Sequence, residues 1–227
     1  MAKSKSRKRK SGPKAITVDI VSDIVCPWCW LGSRYFQQAA AKSPHKVELT
    51  WRPYMLDPNV PEGGMAYANY MKAKFGDGPS DRFKAMRQAL EEAAPGAGIN
   101  FRFGDIPMRP NTLNAHRLMK WAGGQGKGTP MAESLFKAFF DDLKDVGDPA
   151  VLASLAGDVD LDADLTAELL SGDKDKQSVM EEIAFFQRLG VTGVPCFIYG
   201  GQFAVQGAQP PEAHLQAIEK AAKLPET

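Results

Sequence analysis

The chain has 227 residues, 44% of them hydrophobic and 24% charged, which is the composition of an ordinary globular protein with room for one large domain or two interlocked ones. Its three cysteines are too few for the disulfide framework that stabilises small secreted proteins. No apolar run approaches the roughly 20 residues of a membrane-spanning helix, and no hydrophobic stretch follows the charged start, so we predict a cytoplasmic protein without a membrane partner.

The net charge of +1 is unevenly distributed, because residues 1–14 contain seven basic side chains and no acidic one. Such a segment cannot bury apolar area, so we expect a disordered basic tail there. It could bind nucleic acid by charge alone, but no aromatic residues lie among the charges for base stacking. A solvated tail is therefore favoured, and nucleic acid is not an expected partner.

The first elements after this tail form a strand, a helix and a second strand. Ile16, Val18 and Ile20 alternate with polar residues, which indicates a strand. The stretch "CWLGSRYFQQAAAK" has a helix-forming composition, and "KVELTWRPYML" alternates again before the chain reaches Pro53. The opening of the chain therefore predicts a βαβ unit.

The long middle of the chain, from Met65 to about Gly172, carries helical signals only, and we predict an all-helical block there. A further helix follows this block. Two short strands joined at Gly200-Gly201 and a last helix near Pro211 complete the chain.

This order of elements predicts an α/β fold in which the two ends of the chain build one small mixed sheet. The helical block is then an insertion between the two halves of the sheet. The predicted units are the basic tail 1–14, a sheet domain formed by 15–62 together with 173–227, and the helical insertion 63–172.

Two cysteines, Cys26 and Cys29, lie directly after the first predicted strand, where a metal site, a structural disulfide or a redox pair are the alternatives. Zinc prefers four ligands. Neither the third cysteine nor the three histidines form a second ligand pair at the spacing of a zinc site, so we expect no metal. A permanent disulfide across two intervening residues closes too small a loop to stabilise the fold. Redox chemistry is the interpretation that remains.

The predicted geometry of the pair fits redox chemistry. Cys26 lies at the N-cap of the helix, Pro27 fits the first turn, and Cys29 lies one turn inside. The free N–H groups and partial positive charge at a helix N-terminus favour a thiolate on Cys26. We therefore expect Cys26 to attack substrate sulfur and the more buried Cys29 to resolve the mixed disulfide.

The dipeptide Val194-Pro195 enters a predicted strand, where proline is unusual. It is either an ordinary turn proline or a cis-proline beside the cysteines. A cis bond would keep an N–H away from the Cys26 thiolate and leave the Val194 main chain free to pair with an extended substrate. The presence of a Cys-x-x-Cys motif in the same chain favours the functional interpretation.

The side chains around the motif indicate an apolar substrate surface. Trp28 and Trp30 offer apolar contact area next to the Cys26 sulfur. We expect Pro27, Trp28 and the Val194 main chain to contact substrate. Such a surface suits an extended protein or a small thiol such as glutathione.

Four further residues have competing interpretations. Asp23 is either a water-linked proton acceptor for the thiols or a cap for the loop. His116 is predicted to be a core or hydrogen-bonding residue, and Asn111 is predicted to be a helix N-cap. Cys196 is either a third redox thiol or a small core residue, and strand alternation favours the core.

Four stretches together resemble the FrnE-like branch of the DsbA family of thioredoxin-fold dithiol-disulfide oxidoreductases: "SDIVCPWCWLG", "WRPYMLDPNVPEGG", "PNTLNAHRLMKWA" and "GVTGVPCFIYGGQFAVQGAQPPE". The resemblance implies a thioredoxin fold with a helical insertion, in which Cys26 is the nucleophile, Cys29 the resolving thiol and Pro195 the cis-proline. The chain departs from the pattern in its basic tail and at Cys196, where relatives commonly carry an aromatic or other apolar residue.

We therefore predict a thiol-disulfide oxidoreductase that reduces or isomerises disulfides more readily than it forms them, with proteins or small thiols as substrates. No tightly bound cofactor is expected, and glutathione is a candidate redox partner. One alternative is a glutathione-binding kappa-class transferase or 2-hydroxychromene-2-carboxylate isomerase, in which a serine typically takes the place of Cys26. Another is a redox-inert interaction protein with a nucleic-acid-binding tail. The oligomeric state is left open.

Overall fold

The computed structural model describes residues 15–76, 78 and 80–225. The predicted disordered tail, 1–14, lies outside the described residues. Within the described residues, no helix combines the length and the apolar character needed to cross a membrane.

The strands, numbered in chain order, are β1 (Ile16–Ser22), β2 (Val47–Pro53), β3 (Met65–Ala66), β4 (Met108–Arg109), β5 (Cys196–Tyr199) and β6 (Phe203–Gln206). The α-helices are α1 (Pro27–Lys42), α2 (Tyr67–Phe75), α3 (Asp81–Ala93), α4 (Leu113–Gly124), α5 (Gly128–Phe140), α6 (Pro149–Asp158), α7 (Ala163–Ser171), α8 (Lys176–Arg188) and α9 (Pro211–Lys223). A 3-10 turn spans Pro95–Ala97.

The main sheet joins the two ends of the chain, as the order of elements predicted. Its strand order is β2-β1-β5-β6, in which β1 is parallel to β2 and antiparallel to β5. The parallel pair needs the α1 crossover, whereas β5 and β6 are antiparallel and need only a tight turn. The mixed α/β fold is therefore confirmed, while the predicted domain bounds stay predictions.

A second, very small sheet lies inside the segment predicted to be all-helical. Met65 and Ala66 of β3 pair with Arg109 and Met108 of β4. Strands of two residues are too short to show the alternation that reveals a strand in sequence. The prediction of helices alone was therefore wrong at this point.

Helix α1 is fixed from both sides, and this positions the cysteines at its start. Toward the inserted helices, the Trp30 ring stacks on Phe136 and Phe140 of α5, with ring centroids 6.2 and 5.9 Å apart. The Trp30 indole N–H donates to Glu133 Oε2 at 3.0 Å. Toward the sheet, Phe36 stacks on Phe197 of β5 at 5.5 Å. Aromatic packing on both faces leaves the first turn of α1 little freedom to move.

Helix α4 begins one residue later than the predicted cap implies. Its N-cap is Thr112, whose side chain makes no capping hydrogen bond. Asn111 nevertheless supplies the cap chemistry, because its Oδ1 accepts the Leu113 N–H at 3.0 Å. Its Nδ2 also donates to the Val60 carbonyl at 2.7 Å, which ties the helix start to the loop after β2.

Candidate active site

Cys26 occupies the N-cap of α1, as predicted, with an extended backbone at φ −98° and ψ 110°. The following Pro27 sits in the first turn, where its missing N–H costs no hydrogen bond. The Cys26 carbonyl accepts the N–H of Cys29 at 3.0 Å, and the Cys26 N–H donates to the Asp23 carbonyl at 3.0 Å. This turn places both thiols on the same side of the helix start.

The two thiols differ in access and in chemistry. Cys26 is 4% exposed and lines a cleft, whereas Cys29 is 0% exposed and does not line it. Burial raises the pKa of Cys29 well above its usual value, and the hydrogen bond and charge of Cys26 raise it further. The Ser22 hydroxyl and the Asp23 main chain oppose this shift only in part. Cys29 is therefore held as a neutral thiol at neutral pH.

The Val194-Pro195 peptide bond is cis, as predicted from sequence. The Val194 carbonyl oxygen lies 3.9 Å from Cys26 Sγ and accepts from the thiol. Pro195 itself packs against α1, because a Cβ at Gly32 would lie only 3.1 Å from Pro195 Cγ. The small residue in α1 thus lets the proline segment approach the cysteines.

The cleft in front of Cys26 has a volume of about 320 Å³. Its floor includes the predicted substrate-contacting residues Pro27, Trp28 and Val194. Its walls come from the segment between β2 and β5 and are mainly aromatic and thioether side chains: Tyr67, Tyr70, Met71, Phe75, Phe83, Met86, Phe103, Phe139 and Phe140. These side chains therefore form an apolar surface next to Cys26 that is suited to a ligand.

The cleft wall also carries Lys74, Arg87 and Arg109, which sequence reasoning did not single out. Arg109 forms an ion pair with Asp57 at 2.7 Å, and Lys74 binds the same carboxylate at 2.8 Å. These residues come from separate segments of the chain. No local motif marks them, so only the tertiary structure brings them together.

The Asp23 carboxyl group is buried at 1% exposure and is tied to the loop after β2. Its Oδ2 accepts the Leu56 N–H at 2.8 Å. Its Oδ1 lies 3.4 Å from His116 Nε2, which has a shorter contact of 2.8 Å to the Tyr54 carbonyl. The hydrogen-bonding role expected for His116 is confirmed, and Asp23 makes the loop contact of a cap, while its role as a proton acceptor stays a prediction.

Cys196 is 0% exposed and packs with Val21, Phe186 and Val191. Its sulfur accepts from Gln206 Nε2 at 3.2 Å. Burial raises its pKa, with the Gln206 contact acting in the opposite direction. The expected core position is confirmed.

Another cavity, of about 300 Å³, lies beside β2 and α4 and is lined by neither Cys26 nor Cys29. Within the described residues, no group of His, Cys, Asp or Glu side chains is arranged to hold a metal ion. The cleft at Cys26, which brings one thiol of the pair next to the cis Val194-Pro195 segment, is the candidate active site.

A cis-proline facing a Cys-x-x-Cys pair at a helix start, on a mixed sheet, defines the class of thioredoxin-fold dithiol proteins. The family model for the DSBA-like thioredoxin domain matches residues 17–219, and the chain belongs to this family.

The solved structure of a probable DsbA oxidoreductase from Streptomyces coelicolor is similar over 93% of both chains, with 30% identity and a TM-score of 0.84. The uncharacterized protein YwbO of Bacillus subtilis is 26% identical over 207 residues, which are 89% of this chain and 96% of YwbO. The cytosolic disulfide reductase DsbM of Pseudomonas aeruginosa, solved with glutathione, shares the fold at 15% identity and a TM-score of 0.64, over 92% of this chain and 100% of DsbM.

Proposed function

We propose that this protein exchanges thiols and disulfides through Cys26 and Cys29. The observation that carries the proposal is the asymmetry of the pair: Cys26 lines the cleft at the N-terminus of α1, and Cys29 is fully buried and does not line it. Membership of the DSBA-like family supports it.

In this mechanism the Cys26 thiolate attacks one sulfur of a substrate disulfide, so that a new S–S bond forms and the other substrate sulfur leaves as a thiolate. The helix N-terminus stabilises the attacking anion. Cys29 then loses its proton and attacks Cys26, which releases the second substrate thiolate and leaves a Cys26–Cys29 disulfide. Two electrons pass from the enzyme to the substrate.

The substrate lies across Pro27, Trp28 and the Val194 main chain in this proposal. The Val194 carbonyl already points at the attacking sulfur. An extended chain that pairs with this main chain would hold its disulfide next to Cys26. We assign Asp23, whose main-chain carbonyl accepts the Cys26 N–H, the role of a water-linked proton acceptor for the thiols.

The proposed direction is reduction or isomerisation of disulfides in a cytoplasmic location, with glutathione as redox partner. A glutathione-buffered cytoplasm keeps dithiols reduced, which favours this direction. The fold shared with DsbM, which was solved with glutathione, supports the choice of partner. Assignment to the FrnE-like branch stays a prediction.

Alkylation kinetics test the roles of the two cysteines. We expect Cys26 to react with iodoacetamide at least about tenfold faster than Cys29 at neutral pH, because the thiolate is the reactive form. The raised pKa of Cys29 means that its alkylation should increase only at alkaline pH. Quenched samples read by peptide mass spectrometry give both rates.

Buried Cys196 is the matched internal control, and its alkylation should be as slow as that of Cys29 in the native protein and fast in urea. Equal native rates for Cys26 and Cys29, or a faster Cys29, would contradict the assigned roles.

A further inference from the structure

All charged side chains of the described residues that line the cleft are basic: Lys74, Arg87 and Arg109. Arg87 pairs with Glu91, one turn along α3, at 2.8 Å, so its charge is met by a carboxylate that does not line the cleft. The electrostatic character of the cleft therefore depends on Lys74 and Arg109.

Lys74 and Arg109 share a single carboxylate behind the cleft wall. Asp57 does not line the cleft, and its Oδ2 accepts from Arg109 at 2.7 Å while its Oδ1 accepts from Lys74 at 2.8 Å. The Tyr70 hydroxyl donates to the same carboxylate at 2.7 Å. Burial raises the pKa of Asp57, but the hydrogen bonds of Lys74 and Tyr70 outweigh it and the net shift is downward. The group of three charges thus keeps one net positive charge at neutral pH.

Arg109 places positive charge next to the nucleophile. Its side chain is only 6% exposed, and its guanidinium lies 4.7 Å from the Tyr70 ring centroid. Its Nη1 reaches the carbonyl of Val25, the residue before Cys26, at 3.5 Å. Its buried Nε has no hydrogen-bond partner. Asp57 compensates the buried charge, but the unpaired Nε leaves the guanidinium with a free donor for a further acceptor.

We propose that the cleft accepts small disulfides that carry carboxylates, which Lys74 and Arg109 bind while Cys26 attacks the sulfur. The cavity of about 320 Å³ has the size of a small-ligand pocket. The inference rests on the proposed function and adds the charge of the substrate to it.

The reaction is the exchange described above with a defined substrate. Reduced enzyme and one anionic disulfide give the Cys26–Cys29 disulfide and two anionic thiols. Two electrons and two protons pass to the substrate, and no other reductant is needed for this single turnover.

The test compares two disulfides of the same shape and different charge, dithiodipropionate, a dianion, and its neutral diamide. Reduced full-length protein is mixed with each, and the rate of Cys26–Cys29 disulfide formation is read by acid quench and mass spectrometry. Each rate is divided by the rate of the same disulfide with dithiothreitol, which removes differences in intrinsic reactivity. We expect the dianion to react about tenfold faster, because one net positive charge of the protein attracts it at short range in a partly exposed site.

Two variants locate this preference in the protein. Lys74→Gln should reduce the dianion-to-diamide ratio to about twofold or less, because it removes the excess charge of the group. Lys84→Gln is the matched control on α3, since Lys84 is exposed, pairs with Asp81 and does not line the cleft. It should retain the wild-type ratio. Raising the salt concentration should reduce the wild-type ratio as well.

Equal normalised rates for the two disulfides would overturn the inference and leave the proposed function intact. A failure of both disulfides to oxidise the cysteine pair would overturn the proposed function and the inference together. A preference seen with a disulfide in an acidic polypeptide, but absent with dithiodipropionate, would contradict the assignment to small substrates.

Discussion

A Cys29→Ser variant is expected to accumulate mixed disulfides with its substrates, whereas Cys26→Ser should form none. Cys26 alone of the pair lines the cleft, so a substrate sulfur can reach it without Cys29. Without the buried partner thiol, the mixed disulfide has no resolving group. Catalysed insulin reduction should fall to the background rate in both variants, but intact-mass measurement should find a covalent adduct only in Cys29→Ser.

The Cys29→Ser/Cys196→Ala double variant is the control for this experiment. It should retain the adduct, because Cys196 is buried in a separate cluster and takes no part in resolution. An adduct on Cys26→Ser, or rapid resolution in Cys29→Ser, would contradict the assigned order of attack.

The largest expected effect on stability is at Arg117 of α4, which is 0% exposed. Its guanidinium binds an unusual set of acceptors, the carbonyl oxygens of Lys174 (2.6 Å), Leu169 (2.6 Å), Gly172 (2.8 Å) and Leu170 (3.4 Å), and Asn114 Oδ1 (2.9 Å). Arg117→Met keeps the apolar stem but removes the buried donors from all five acceptors. We expect it to lower the free energy of unfolding by about 3 kcal/mol or more.

Urea unfolding followed by tryptophan fluorescence measures this loss. Arg82→Met on the exposed face of α3 is the matched control and should change the free energy of unfolding by less than about 0.5 kcal/mol. Arg117→Lys should also be destabilised, since an ammonium group cannot reach so many separated acceptors. If Arg117→Met does not fold, Arg117→Lys still allows the loss in free energy of unfolding to be measured. Stability of both Arg117 variants within the range of the control would contradict the structural role.

The thiol pair could be located from sequence because its signals are local. Cys26 and Pro27 fall at a strand-to-helix junction, where the N-cap position and the helix-terminal charge follow from a few neighbouring residues. Cys196 could be assigned to the core as well, but β5 is buried on both faces: Cys196 and Phe197 are both 0% exposed and pack in different clusters, so alternation decides only which cluster each side chain joins.

The cleft wall could not be predicted because its contacts are not local. Asp57 lies in the loop after β2, Lys74 on α2 and Arg109 on β4, and their meeting depends on how the insertion folds over α1. Charge alone gives no signal here, because basic and acidic residues are mixed along residues 15–227. The two-residue strands β3 and β4, which position Arg109, leave no periodic pattern either.

The central claim is that Cys26 and Cys29 form the reversible redox pair of this protein. The most direct test is to equilibrate the native protein in buffers with increasing ratios of oxidised to reduced glutathione. The samples are quenched with acid and their disulfides are identified by peptide mapping. We expect a single two-electron transition in which the Cys26–Cys29 disulfide forms while Cys196 remains a thiol, with the same transition in a Cys196→Ala control. A disulfide that includes Cys196, or no disulfide at any ratio, would contradict the claim.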